Sequence, residues 1–429
     1  MNVLTLLIAL AAQPPPAVRA REVLDLLLAG KADELYALFD ERMQKALPRD
    51  VVIQQVTPQF RSLGAPQHIG EPRTQTLDHL TVVLIPVKFP AASIQLQVSV
   101  DAEGRVAGLF FRPGETPPVN WRPPPYAKPG AFREREVTVG SADGKLPGTL
   151  TVPAGKGPFP AMVLVHGSGP QDRDETVGQN KIFRDLAEGL ASRGIAVLRY
   201  DKRTKVYAEK MASMREFTVR EETIDDALSA AALLRQTPEI DSRRIFLLGH
   251  SLGGYLAPRI AKADPRLAGL IILAGNTRPL EDLILEQVEY LASLKDPGAQ
   301  SQCDRIRQSV AEIKKVRAGA QPPSAILGMP AAYMLDLIRY DPVAEARQLS
   351  IPMLILQGER DYQVTMKDFE GWKAALGHRK DVALKAYPAL NHLFIAGSGK
   401  SKPSEYQTAG HVAEEVVEDI AQWVHAISK

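Results

Sequence analysis

The chain has 429 residues, 45% of them hydrophobic and 24% charged, and a formal net charge of +2. That length and composition suit a folded globular protein of two domains, or of one large core with an addition. No block of like charge offers a surface for nucleic acid, the single cysteine Cys303 excludes an intrachain disulfide, and no Cys/His spacing suggests a structural zinc site.

Residues 1–12 are almost wholly apolar, with Ala9, Ala11 and Ala12 near the end and a polyproline after. This has the form of a secretory signal with its small-residue cleavage site, although Lys or Arg is missing at the start. Such an apolar run of about ten residues is too short to span a bilayer. Residues 1–16 are therefore set apart as signal and Pro-rich start. Export to the periplasm or medium is expected, with the cytoplasm as the alternative and no stable membrane anchor.

Residues 17–112 form a unit with its own pattern. The spacing of Leu24, Leu27, Leu28, Leu35, Leu38 and Phe39 predicts helices over 17–29 and 32–46, and 50–60 is a third. Alternation then predicts strands over 80–89, 94–100 and 106–111, with a turn at 101–104. Helices followed by an antiparallel sheet make a small α+β domain. With the segment Phe39 to Leu47, it resembles the NTF2- or cystatin-like domain that often precedes bacterial hydrolases. Pro113, Pro117, Pro118, Pro123, Pro124, Pro125 and Pro129 then mark 113–130 as a stiff linker.

From 131 to 429 strands and helices alternate. A leading hairpin is predicted at 135–139 and 148–152. Core strands follow at 161–165, 196–200, 245–248, 270–273, 353–356 and 382–387. Most are short continuous apolar runs, as parallel strands buried on both faces require. Helical patterns at 182–193, 221–235, 252–263, 367–376 and 411–427 supply the crossovers. The connection between 273 and 353 is too long for one crossover. Helical patterns at 280–294, 301–318 and 331–340 predict a helical cap over about 278–340, at the carboxyl edge of the sheet where ligands bind.

The chemistry centres on Gly249-His250-Ser251-Leu252-Gly253, where an apolar strand runs directly into a helix. So abrupt a reversal strains the serine backbone, and side chains two residues before and after it would collide; Gly249 and Gly253 remove that bulk. Ser251 is the candidate nucleophile, and the amide of Leu252 faces a developing oxyanion at the helix start. A serine hydroxyl needs a base oriented by an acid. Asp361 lies just past the 353–356 strand, with Glu359 as the runner-up. His392 lies on the loop after the last strand. The glycine-rich turn His166-Gly167-Ser168-Gly169 supplies the Ser168 amide as the second oxyanion donor, with Gly167 and Gly169 keeping the substrate approach open. His166 and His250 are read as structural. Asp172, Arg173 and Asp174 either line the mouth or are simply solvated.

The segments 166–174, 199–203 (Arg-Tyr-Asp-Lys-Arg), 249–254, 358–361 (Gly-Glu-Arg-Asp) and 391–394 (Asn-His-Leu-Phe) resemble the α/β-hydrolase superfamily. Within it they are most similar to bacterial serine carboxylesterases of the EstD type, which carry a small N-terminal domain. The resemblance implies an α/β-hydrolase fold, with a mostly parallel sheet, helices on both faces and a helical cap. It also implies a triad of Ser251, Asp361 and His392, and hydrolysis of short-chain acyl esters without a cofactor. One departure is the Thr204-Lys205-Val206 run, where such enzymes continue with Gly and a small polar residue. Peptidase and thioesterase activity on the same triad remain alternatives. A binding protein without turnover fits poorly with an intact Ser, acid and His in order. The eight histidines form no ligand cluster, so no metal is expected, and a homo-oligomer is left open.

Overall fold

A computed structural model describes residues 13–61, 63–77, 80–89, 93–114, 121–140, 144–214, 216–294, 299–323, 325–326 and 329–427. The apolar start at 1–12 and residues 115–120 of the Pro-rich stretch lie outside them. The chain forms two compact units, one of residues 1–118 with 295–302 and the other of residues 119–294 with 303–429.

In the first unit the helix Pro16–Ala29 buries Ala20, Val23, Leu24 and Leu27, one stripe at helical spacing. The single helix expected at 32–46 is instead two, Ala32–Ala37 and Glu41–Ala46. The sheet breaks it. Between the two pieces the backbone turns to the strand Val106–Pro113: Asp40 N donates to Val106 O at 3.0 Å and Val106 N to Leu38 O at 2.8 Å. The Asp40 carboxylate then accepts from Met43 N and caps the second piece. Leu80–Lys88, Ser93–Val100 and Val106–Pro113 form an antiparallel meander, and Arg73–Leu77 and His68–Ile69 pair with Leu80–Lys88. Arg73–Leu77 is exposed at every residue, so it carries no alternating apolar signal and escaped the sequence reading.

The second unit is built on an eight-stranded sheet in the order Val382–Tyr387, Met353–Gly358, Gly269–Leu273, Ile240–His250, Phe159–Val165, Ala196–Tyr200, Leu146–Pro153, Phe132–Val139. Only the last two strands run antiparallel to their neighbours. Alternate residues of each core strand serve opposite faces. Ala161, Val163, Ile245, Leu247 and Ile272 join one apolar core, which includes the helix Leu252–Ala263. Met162, Leu164, Phe246, Leu248 and Ile271 join the other, covered by Ile182–Ala191 and Glu414–Ile427. This two-sided burial is what the continuous apolar runs encode. The strands preceding Ile240–His250 in sequence lie on one side of it and those following on the other, so it borders the topological switch point, where open α/β sheets place their ligands.

Part of the Pro-rich stretch is not a free linker. Trp121 Nε1 donates to Asp185 at 2.9 Å and the Tyr126 hydroxyl to Val412 O at 2.7 Å, which docks residues 121–127 on the second unit. The long excursion holds the helices Leu280–Ser293, Ala299–Arg317, Ala331–Arg339 and Pro342–Arg347. Its Ala331–Arg339 helix is pinned to the Leu252–Ala263 helix. There the Tyr255 hydroxyl lies 3.0 and 2.9 Å from the carbonyls of Leu337 and Tyr340.

The contact that sets the turn at Ser251 is close. A Cβ on Gly253 would overlap the Val165 carbonyl of the neighbouring strand, and one on Gly249 would overlap the Gly253 carbonyl. Gly253→Ala should therefore destabilise the protein by about 1–3 kcal/mol, the usual cost of overpacking a rigid site, measured by denaturant unfolding. An unchanged midpoint would mean that the helix can lift from the strand without loss.

Candidate active site

Ser251 stands between the strand Ile240–His250 and the helix Leu252–Ala263, with φ 54° and ψ −116°. Few non-glycine residues adopt positive φ, and here the surrounding bonds enforce it. Ser251 N donates to Leu273 O on the adjacent strand at 2.9 Å, and Ser251 O accepts from Tyr255 N at 2.9 Å. Leu252 opens the helix, so its amide has no intrahelical acceptor and lies at the positive end of the dipole.

Asp361 and His392 meet. His392 Nδ1 is 2.7 Å from Asp361 Oδ2, and both residues are buried. The carboxylate is held from all sides: Oδ1 accepts from Gln363 N at 2.7 Å and Val364 N at 3.0 Å, while Oδ2 also accepts from Gln357 Nε2 at 3.1 Å. Glu359, the runner-up acid, is exposed. The histidine loop is shaped by Asn391, whose Oδ1 accepts from Leu393 N and Ile395 N at 3.0 and 3.2 Å. His250 binds that loop to the serine turn. Its Nε2 lies 2.9 Å from His392 O, and the two rings are 4.8 Å apart.

The turn after the strand Phe159–Val165 brings Gly167 against the serine, for a Cβ there would lie 3.2 Å from Ser251 Cβ. Gly167 N donates to Glu175 Oε1 at 2.6 Å, so that amide is already claimed, and the next residue, Ser168, is exposed. Gly169 has φ 89° and open space around it, so glycine is required there by conformation and not by crowding. His166 is buried between Phe183 and Tyr200, and its Nε2 lies 3.0 Å from Asp172 O. Burial pushes its pKa down to about 4, so it stays neutral. Asp172, Arg173 and Asp174 are half-buried and paired, not simply solvated. Asp172 Oδ1 accepts from the amides of Asp174 and Thr176, Arg173 pairs with Asp201 and Glu136, and Asp174 pairs with Arg199 and Lys181. They build the loop that carries Gly167 and Ser168.

Two buried acids of this region were missed in the sequence, Glu175 and Glu222, together with the role of Lys202. Glu175 is 2% exposed and holds a non-glycine φ of 47°. Its Oε2 lies 3.2 Å from His250 Nδ1, an ion pair without hydrogen-bond alignment. Burial opposes charge on both partners, yet their mutual attraction wins: the His250 pKa is held above its ordinary value and that of Glu175 below. Glu175 follows directly on the 166–174 segment, but nothing in the sequence distinguishes it from a solvated acid. Among the described residues no group of three or more His, Cys, Asp or Glu could hold a metal ion, and no helix is long and apolar enough to cross a membrane.

A strained serine between a strand and a helix, at the switch point of a mostly parallel sheet with helices on both faces, is the architecture of the α/β-hydrolases. The chain belongs to that class: a family model described as serine aminopeptidase, S33, matches residues 160–399, more than half of its length, and the chain is a serine hydrolase of this family. Residues 20–109 match a second family, a protein of unknown function. Esterase EstD of Thermotoga maritima is 44% identical over 338 residues, which are 79% of this chain and 78% of that protein. Thiohydrolase aneE of Aspergillus aculeatus is 33% identical over 176 residues, 39% of this chain and 52% of that one. A solved esterase of Pyrococcus furiosus aligns at 16% identity with a TM-score of 0.47, over 72% of this chain and 95% of that chain.

The Glu175–His250 pair makes stability depend on pH with a defined sign. The raised His250 pKa contributes stability that is full below the ordinary histidine value of 6.5 and lost as pH rises through the folded-state value. The depressed Glu175 pKa contributes stability present above 4.5 and lost as pH falls through its folded-state value. The gap in thermal midpoint between wild type and Glu175→Gln should therefore be widest between those limits and shrink towards alkaline pH. A gap that stays constant across this range would show that the two groups do not share charge.

Proposed function

We propose that the chain is a carboxylesterase that cleaves short-chain acyl esters through Ser251, His392 and Asp361. The observation that carries this reading is the buried His392–Asp361 contact of 2.7 Å, on a loop joined to the serine turn through His250. Asp361 accepts a hydrogen bond from Nδ1–H of His392, which leaves Nε2 as the base for the serine hydroxyl. Ser251 attacks the ester carbonyl, His392 takes its proton, and Asp361 stabilises the imidazolium. The amides of Leu252 and Ser168 hold the tetrahedral oxyanion. His392 then protonates the leaving alcohol, and water repeats the sequence on the acyl-enzyme. The identity to esterase EstD supports an ester as substrate. The partial likeness to a thiohydrolase supports a thioester as the second reading.

Hydrolysis of p-nitrophenyl butyrate, beside its thioester and aminoacyl amide counterparts, separates these activities. Ser251→Ala should lower kcat by about 10⁶-fold and abolish labelling by a fluorophosphonate. Asp361→Asn should cost about 10⁴-fold through the wrong histidine tautomer. Full turnover in Ser251→Ala would sink the mechanism.

A further inference from the structure

The peptide that joins Gly167 to Ser168 is gripped by a buried cation. Lys202, 2% exposed and two residues past the strand Ala196–Tyr200, donates from Nζ to Gly167 O at 2.8 Å. Its own backbone N donates to Gln171 O at 3.0 Å, which ties the same lysine to the loop a second time. A trans peptide is planar, with its C=O and the following N–H pointing in opposite directions. Turning the Gly167 carbonyl towards Lys202 therefore turns the Ser168 N–H away from Lys202. The preceding peptide is held too, because Gly167 N donates to Glu175. An ammonium on the carbonyl also polarises the peptide and strengthens that N–H as a donor to a negative oxygen.

The cation is not isolated. Lys202 Nζ lies 3.1 Å from Glu222 Oε1, and Glu222 Oε2 accepts from the Tyr333 hydroxyl at 2.8 Å. Tyr333 belongs to the Ala331–Arg339 helix of the long excursion, and all three residues are buried. A continuous polar chain thus runs from the excursion to the peptide beside Ser251. A buried charged pair is poor evidence for stability as such, since apolar residues of the same volume often do as well. The arrangement serves geometry better than it serves stability.

We propose that Lys202 is the positioning residue of the oxyanion hole, and that Glu222 and Tyr333 make its orientation depend on the seating of the Ala331–Arg339 helix. This rests on the assignment of the Ser168 amide as an oxyanion donor. Lys202→Met alone would leave Glu222 buried and unpaired, so the deciding variant is the charge-neutral Lys202→Met/Glu222→Gln in the full chain. Its thermal midpoint should stay close to that of wild type. Its kcat for p-nitrophenyl butyrate should fall on the order of 10²-fold, with KM little changed. Relative to Lys202→Met, Lys202→Arg should recover part of the loss, and Tyr333→Phe should lower kcat in the same direction by less. A double variant with wild-type kcat, or one whose loss lies in KM, overturns the positioning role. An unchanged kcat in Tyr333→Phe overturns the dependence on the excursion. If the double variant keeps full turnover while Ser251→Ala has none, the esterase reading stands and only this inference fails. If Ser251→Ala also turns over, the esterase reading itself fails.

Discussion

Everything near Ser251 follows from one close approach. The helix Leu252–Ala263 begins so near the strand Phe159–Val165 that no side chain fits at Gly253, and the chain must reverse between Gly249 and Gly253. That reversal leaves Ser251 at positive φ, held by a bond to Leu273 O on one side and from Tyr255 N on the other. Strain of this kind persists only where the surroundings over-determine it. Here they do, because the strand is parallel to both of its neighbours and buried on both faces.

The loops around the serine are fixed by different means. They have little regular structure, so their backbone groups are claimed by buried charged side chains. Glu175 takes the amide of Gly167 and Lys202 its carbonyl, while His250 joins Glu175 to the histidine loop. Each of these groups would be costly if left alone in a dry interior; together they neutralise one another. Loops held in this way need little reorganisation, the condition under which electrostatic catalysis gains most. The outer ring of Asp172, Arg173, Asp174, Arg199 and Asp201 extends the same principle to the half-exposed part of the loop.

Much of the fold was legible because its signals are local. The strands Ala196–Tyr200 and Val382–Tyr387 and the helix Leu252–Ala263 fall where periodicity and turn residues place them. The misreadings share a cause. The break at Leu38–Asp40 comes from hydrogen bonds to Val106, far along the chain, and Arg73–Leu77 is a strand only because Leu80–Lys88 lies beside it. Trp121 and Tyr126 look like parts of a linker until Asp185 and the Val412 carbonyl receive them.

By itself, the sequence determined the class of fold and the placing of Ser251, Asp361 and His392 at strand ends in a workable order. Those features depend on residue type and on short spacings. Only the tertiary structure decided which acids are buried, that Glu175 claims the Gly167 amide of the glycine turn, and that Lys202, Glu222 and Tyr333 form one chain. The reason is physical. An acid or a lysine carries the same letter in water as in a dry interior, and Tyr333, a partner of Glu222, lies 111 residues away in the chain. Its charge, its cost and its use are set by those partners.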